Sequence, residues 1–207
     1  MHADDGKETS RIEAFFDGVY AIAITLLVLD LKVPRDLPAG HSLRAALLDQ
    51  WPADLAFLVS FATIGVGWVI HHRLFTMIRR SDNWLILWNL VLLLLVTLVP
   101  FPTALVAEYW GTAESGTVTV IYNALNLSLS VAFNVLWRHA AGNRGRLLDR
   151  RVDLNLVERL TRQYRFGPIL YLGSSALALW SPGASLAALG LFAVFFAMPP
   201  PEVRTAA

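Results

Sequence analysis

The chain is written as long apolar runs separated by short polar links, and the lengths of those runs predict its elements. Arg11 to Pro34, RIEAFFDGVYAIAITLLVLDLKVP, opens the series as a helix with only twelve uncharged residues between Asp17 and Asp30. Leu55 to Ile70 gives 16 more, and the helical pattern continues through His71, His72 and Arg73. Asn83 to Ala107 is uncharged for 25 residues and ends on Pro100 and Pro102, and Ser115 to Trp137 adds 23. Phe166 to Pro201 is uncharged for 36 residues, too many for one crossing of a hydrocarbon layer that takes about 20. Ser181-Pro182-Gly183 breaks that run with turn-forming residues and predicts a hairpin of two short arms. The pattern predicts six spans in an all-α membrane fold, organised as a single domain over residues 1–207.

Composition places the chain in a bilayer. Of 207 residues, 56% are hydrophobic and only 16% charged, with a mean hydropathy of +0.52; soluble domains carry about 25% charged residues. A net charge of +1 argues against a nucleic-acid partner, which requires a concentrated basic surface. With no cysteine, thiolate metal sites, disulfides and cysteine nucleophiles are excluded. No GxSxG, HExxH or phosphate-cradling glycine loop is present, so no enzyme, cofactor or organic substrate is expected. The acidic N-terminal stretch does not read as a cleavable signal peptide.

Charge then gives an orientation. Fourteen of the seventeen Lys and Arg residues fall on one side if both termini are cytoplasmic, leaving Lys32, Arg35 and Arg44 outside. The positive-inside rule favours that arrangement. It makes residues 1–10 a cytoplasmic N-terminus, 138–165 an Arg-rich cytoplasmic loop and 199–207 a cytoplasmic tail. That loop holds eight arginines, which suit either an ordinary cytoplasmic loop or a lipid-headgroup site. Trp51, Trp84, Trp110, Trp137 and Trp180 fall near span ends, where aromatic belts form.

The first helix carries the sharpest chemistry. A carboxylate at membrane depth costs about 2.5–3.5 kcal/mol, so Asp17 and Asp30 should meet water or protein rather than lipid. Counting about 100° per residue from Asp17, Ile22 falls near 140°, Leu26 near 180° and Leu29 near 120°, with Thr25 beside them at about 80°. Copies of this helix around an axis would stack rings of Ile and Leu that gate ions by dewetting; the same stripe also fits a packing seam. Arg11 and Asp17 lie too far apart around the helix to pair, so partners are expected at the polar end of the second span, among Trp68, His71, His72 and Arg73. Adjacent histidines point to different faces, so no metal site is expected there. Asn123, Asn126, Ser130 and Asn134 share one face of the fourth span and are expected to pack between helices. Gly65 and Gly67 are expected to allow a close helix approach.

Arg11-xxx-Phe15-Phe16-Asp17, WVIHHRLFTMIRR from Trp68 and NLVLLLLVTLVPFPT from Asn89 together resemble the transmembrane protein 175 potassium channels, whose first-helix signature is RxxxFSD. The resemblance implies a homotetramer of six-helix subunits in a prokaryotic cell membrane, with the first helix lining the pore and K+ as the permeant ion. It implies a hydrophobic constriction at Ile22, Leu26 and Leu29, with Thr25 linked to cation selectivity. Arg11, Phe15, Asp17, Trp68, His71 and His72 would be a motif and packing network that holds the pore helix, and Asp30 would sit at the outer mouth. Phe16 departs from the family pattern, replacing the motif serine. A proton-coupled transporter using Asp17, Asp30 and the histidines, or a non-transporting membrane subunit, are the alternatives.

Overall fold

The computed structural model describes residues 8–35 and 42–198, apart from the side chains of residues 143 and 144. The expectations for residues 1–7 and for the tail at 199–207, with the last residues of the hairpin, lie outside the described residues. The chain is an all-helical integral membrane protein. Its helices are α1 (Ser10–Leu26), α2 (Leu43–Asp49), α3 (Trp51–Met77), α4 (Asn83–Thr97), α5 (Pro100–Tyr109), α6 (Ser115–Gly145), α7 (Leu154–Arg165), α8 (Gly167–Ala178) and α9 (Pro182–Ala197), and a 3₁₀ turn, Leu27–Asp30, extends α1. Four segments are long and apolar enough to cross a membrane: Ser10–Asp30, Trp51–Met77, Asn83–Tyr109 and Ser115–Gly142. The arms of the hairpin, α8 with 12 residues and α9 with 16, are shorter.

Local chemistry sets the boundaries. Asp82 caps α4 by accepting from the Leu85 amide at 2.8 Å, and Ser181 caps α9 by accepting from Ala184, with Pro182 in the first turn. The third apolar run does not stop at its prolines. Pro100 has no amide to donate back into α4, so the ladder breaks at Leu98–Val99 and restarts as α5, which runs on to Tyr109. The Arg-rich 138–165 segment is largely helix rather than loop. α6 continues to Gly145, which turns at a φ of +68°, and α7 buries Leu160 and Tyr164 while facing Arg159, Arg162 and Arg165 outward.

α6 packs on α8, α4 and α5, α3 on α5 and α9, and α1 on α4 and α3. The polar stripe of α6 is spent inside this packing. Asn123 Nδ2 donates to Ser185 Oγ at 2.9 Å and Asn134 Nδ2 to the Tyr164 carbonyl at 2.7 Å. Gly167 abuts Ser130 so closely that a side chain there would collide with its Oγ. Gly67 similarly leaves room for the Tyr20 hydroxyl, which a methyl would meet at 2.9 Å, whereas Gly65 faces open space and brings no helix closer. Trp137 is fully buried and donates to Thr161 at 2.8 Å, so it is a core residue and not part of an aromatic belt.

Three links close the bundle at the end where α1 begins. The Arg79 amide donates to the Leu147 carbonyl at 2.9 Å, the Asp149 amide to Met77 at 2.8 Å, and the Glu8 amide to Arg79 at 3.3 Å. Arg79 also pairs with Asp149 at 2.8 Å. The Arg151 amide and Arg79 hold the Asp149 carboxyl below the usual carboxylate range.

Candidate functional site

α1 divides cleanly into two faces. Phe16, Tyr20, Ala23 and Leu27, spaced i, i+4, i+7 and i+11, are buried against α3 and α4. The opposite face is uncovered: Ile22 is 61% exposed, Leu26 43% and Leu29 73%. Thr25 lies exposed among them, and its hydroxyl donates back to the Ala21 and Ile22 carbonyls at 3.0 and 2.9 Å. With its proton directed into the helix, the oxygen presents lone pairs outward.

The 3₁₀ turn changes the stripe. Residues at i and i+3 eclipse in ideal 3₁₀ winding, so the turn over Leu27–Asp30 brings Leu29 nearer the line of Leu26 than the roughly 60° offset of uniform α-helical counting. The turn ends at Asp30, one carboxylate oxygen of which is buried without a hydrogen-bond partner. Just beyond, Lys32 pairs with Glu108 of α5 at 2.7 Å, which ties the end of the first helix to the third span and raises the Lys32 pKa.

At the other end the motif residues separate into two groups. Asp17 accepts from Trp68 Nε1 at 2.8 Å, and His72 stacks on the Trp68 indole at 5.7 Å. His71 is buried between Phe16 and Phe75, its Nε2 2.9 Å from Asn89 Oδ1. Phe16 also stacks on Tyr20, with ring centroids 4.1 Å apart. Arg11 and Phe15 are exposed, and Arg73 reaches the other way to donate to the Ala197 carbonyl at 3.1 Å. Among the described residues, no group of three or more His, Asp or Glu side chains converges as metal ligands.

Asn89, which the sequence leaves without a role, and Phe16, known there only as a departure from the motif serine, both belong to this cluster. Asn89 is the one polar residue in Leu85–Leu95, and an amide within an apolar span marks a buried partner. Phe16 falls on the face opposite the Ile–Leu stripe, which marks it as a core residue whatever stands there in relatives.

The family model described as the endosomal/lysosomal potassium channel TMEM175 matches residues 11–100. A potassium channel of Chamaesiphon minutus is 47% identical over 199 residues, covering 96% of this chain and 98% of that protein. A potassium channel of Streptomyces collinus is 41% identical over 194 residues, covering 92% of each. The crystal structure of a lysosomal potassium-selective channel TMEM175 homolog from Chamaesiphon minutus matches with a TM-score of 0.83 at 45% identity, covering 97% of this chain and 99% of that one.

Proposed function

The chain belongs to the TMEM175 family of ion channels, which are not enzymes, and from that premise we propose that it conducts potassium passively through a pore lined by α1 of four identical subunits. The observation that carries the reading is the bare stripe Ile22, Leu26 and Leu29, set opposite a fully packed face. An apolar stripe could face lipid, but Asp17 and Asp30 lie within the same membrane-crossing segment, Ser10–Asp30, and carboxylates at membrane depth are costly unless they meet protein or water. Gathered around an axis, the stripes make stacked apolar rings that exclude water when narrow and pass ions when wetted. Thr25 oxygens form a polar ring among them, with lone pairs available to a cation. Asp30 stands at the outer mouth, where a carboxylate raises the local concentration of cations. Asp17, Trp68, His71 and His72 hold α1 in place through their contacts, Arg11 and Phe15 are exposed members of the same motif network, and none of the six carries an ion.

In this reading α1 with its 3₁₀ turn, α3, α4–α5, α6, α8 and α9 are the six spans of each subunit, both termini are cytoplasmic, and the site of action is a prokaryotic cell membrane. The purified protein in liposomes should release potassium without any partner protein, and Ile22→Asn should wet the ring and raise the flux. Correctly folded protein that passes no potassium, with the variant equally silent, would sink the proposal.

A further inference from the structure

Behind the exposed stripe, within the subunit, lies a partly open pocket of about 60 Å³ walled mostly by apolar side chains such as Ile70, Phe133 and Phe196, with Tyr20, Asn126 and Tyr164 among its few polar members. Tyr20 projects its hydroxyl into it through the notch left by Gly67. That hydroxyl is fully buried and meets no hydrogen-bond partner in the protein. The Tyr164 side chain also lines the pocket, and its buried hydroxyl lies beside the Arg73 guanidinium. An unmet hydroxyl in an apolar interior costs about 1–3 kcal/mol, and buried polar groups are otherwise almost always satisfied by protein or by water. Apolar cavities stay dry, whereas a cavity with several polar partners and at least about 10–15 Å³ per molecule holds ordered water.

We propose that the polar groups of this pocket form a water-binding site, occupied by a small cluster that bridges Tyr20 of α1 to the polar stripe of α6 and to Tyr164 of α7. The cluster makes the pore-side helix and the Arg-rich α7 partners through solvent, although they share no direct hydrogen bond through Tyr20. The site stands whether or not α1 lines a pore.

Radiolytic hydroxyl footprinting in H₂¹⁸O, on the whole protein in lipid nanodiscs, tests the assignment. Tyr122 is the internal reference: it is as buried as Tyr20, lies outside this cavity, and its hydroxyl is 2.8 Å from Ser60 Oγ. Tyr20 and Tyr164 should take up ¹⁸O several-fold faster than Tyr122; equal or slower uptake overturns the proposal. Tyr20→Phe, which keeps the ring, should lower the melting temperature because it removes a water-bridged hydroxyl. A melting temperature unchanged or raised identifies a dry, unsatisfied hydroxyl and also overturns it.

Discussion

Phe16 lies flat on His71, with ring centroids 3.3 Å apart and planes 7° from parallel. The imidazole is held from its edge by Asn89 and from its other face by Phe75, so the phenyl ring completes a stack that runs from Tyr20 to Phe75 and joins α1 to α3. A serine at this position would place a hydroxyl where the chain buries a whole ring. Phe16→Ala should cost about 3–5 kcal/mol, the usual loss for truncating a buried aromatic. Denaturant or thermal unfolding of the purified protein measures it, and a loss below about 1 kcal/mol would show that the stack contributes little.

Thr25→Val keeps the shape of the side chain and removes its oxygen. Because that hydroxyl bonds only to its own helix, stability should change by less than about 0.5 kcal/mol, as for an exposed position. Selectivity should change instead. Reversal potentials in mixed potassium and sodium should show discrimination falling several-fold, and an unchanged ratio would separate Thr25 from ion selection.

Gly167→Ala should destabilise by about 1–3 kcal/mol through overpacking against Ser130. Ser130→Ala in the same chain removes the colliding oxygen and should recover most of that loss. A double variant no more stable than Gly167→Ala alone would place the strain in the backbone of α8.

Asp82 makes stability pH-dependent. Partial burial pushes its pKa up, but the Leu85 amide, the His139 ring at 2.9 Å and nearby Arg146 outweigh that and hold the carboxyl below the usual carboxylate range. A carboxyl whose folded pKa is depressed stabilises fully above the ordinary value of about 4, and the contribution fades as pH falls through the folded value. Melting temperature should therefore drop between pH 6 and pH 3. Asp82→Ala should lose about 1 kcal/mol of capping at pH 6 and show a smaller drop on acidification. An identical drop in both proteins would assign the effect to other carboxylates.

Much of this arrangement is legible in the apolar runs themselves. The division of α1 into a stripe and an opposite face follows from 3.6-residue periodicity, and the hairpin turn follows from Ser181-Pro182-Gly183. The in-packed amides of α6 follow from the scarcity of lipid-compatible alternatives for asparagine. What was hidden depends on tertiary partners. Trp137 sits near a span end like the other tryptophans, and only the presence of α7 over it makes it core. The rise of α7 within an Arg-rich stretch is local periodicity overlooked beneath a charge count. The division of labour between His71 and His72 requires knowing which face of α3 meets α1.

Four residues of 3₁₀ winding, Leu27–Asp30, advance about 8 Å where α-helix would give about 6 Å. The sequence thereby gains reach without gaining residues, which partly makes up for the brevity of the run between its two aspartates. The gain is also reversible in principle: rewinding these residues would draw Asp30 inward by about 2 Å and swing Leu29 farther from the line of Leu26, a shortening and a rotation delivered by one short turn.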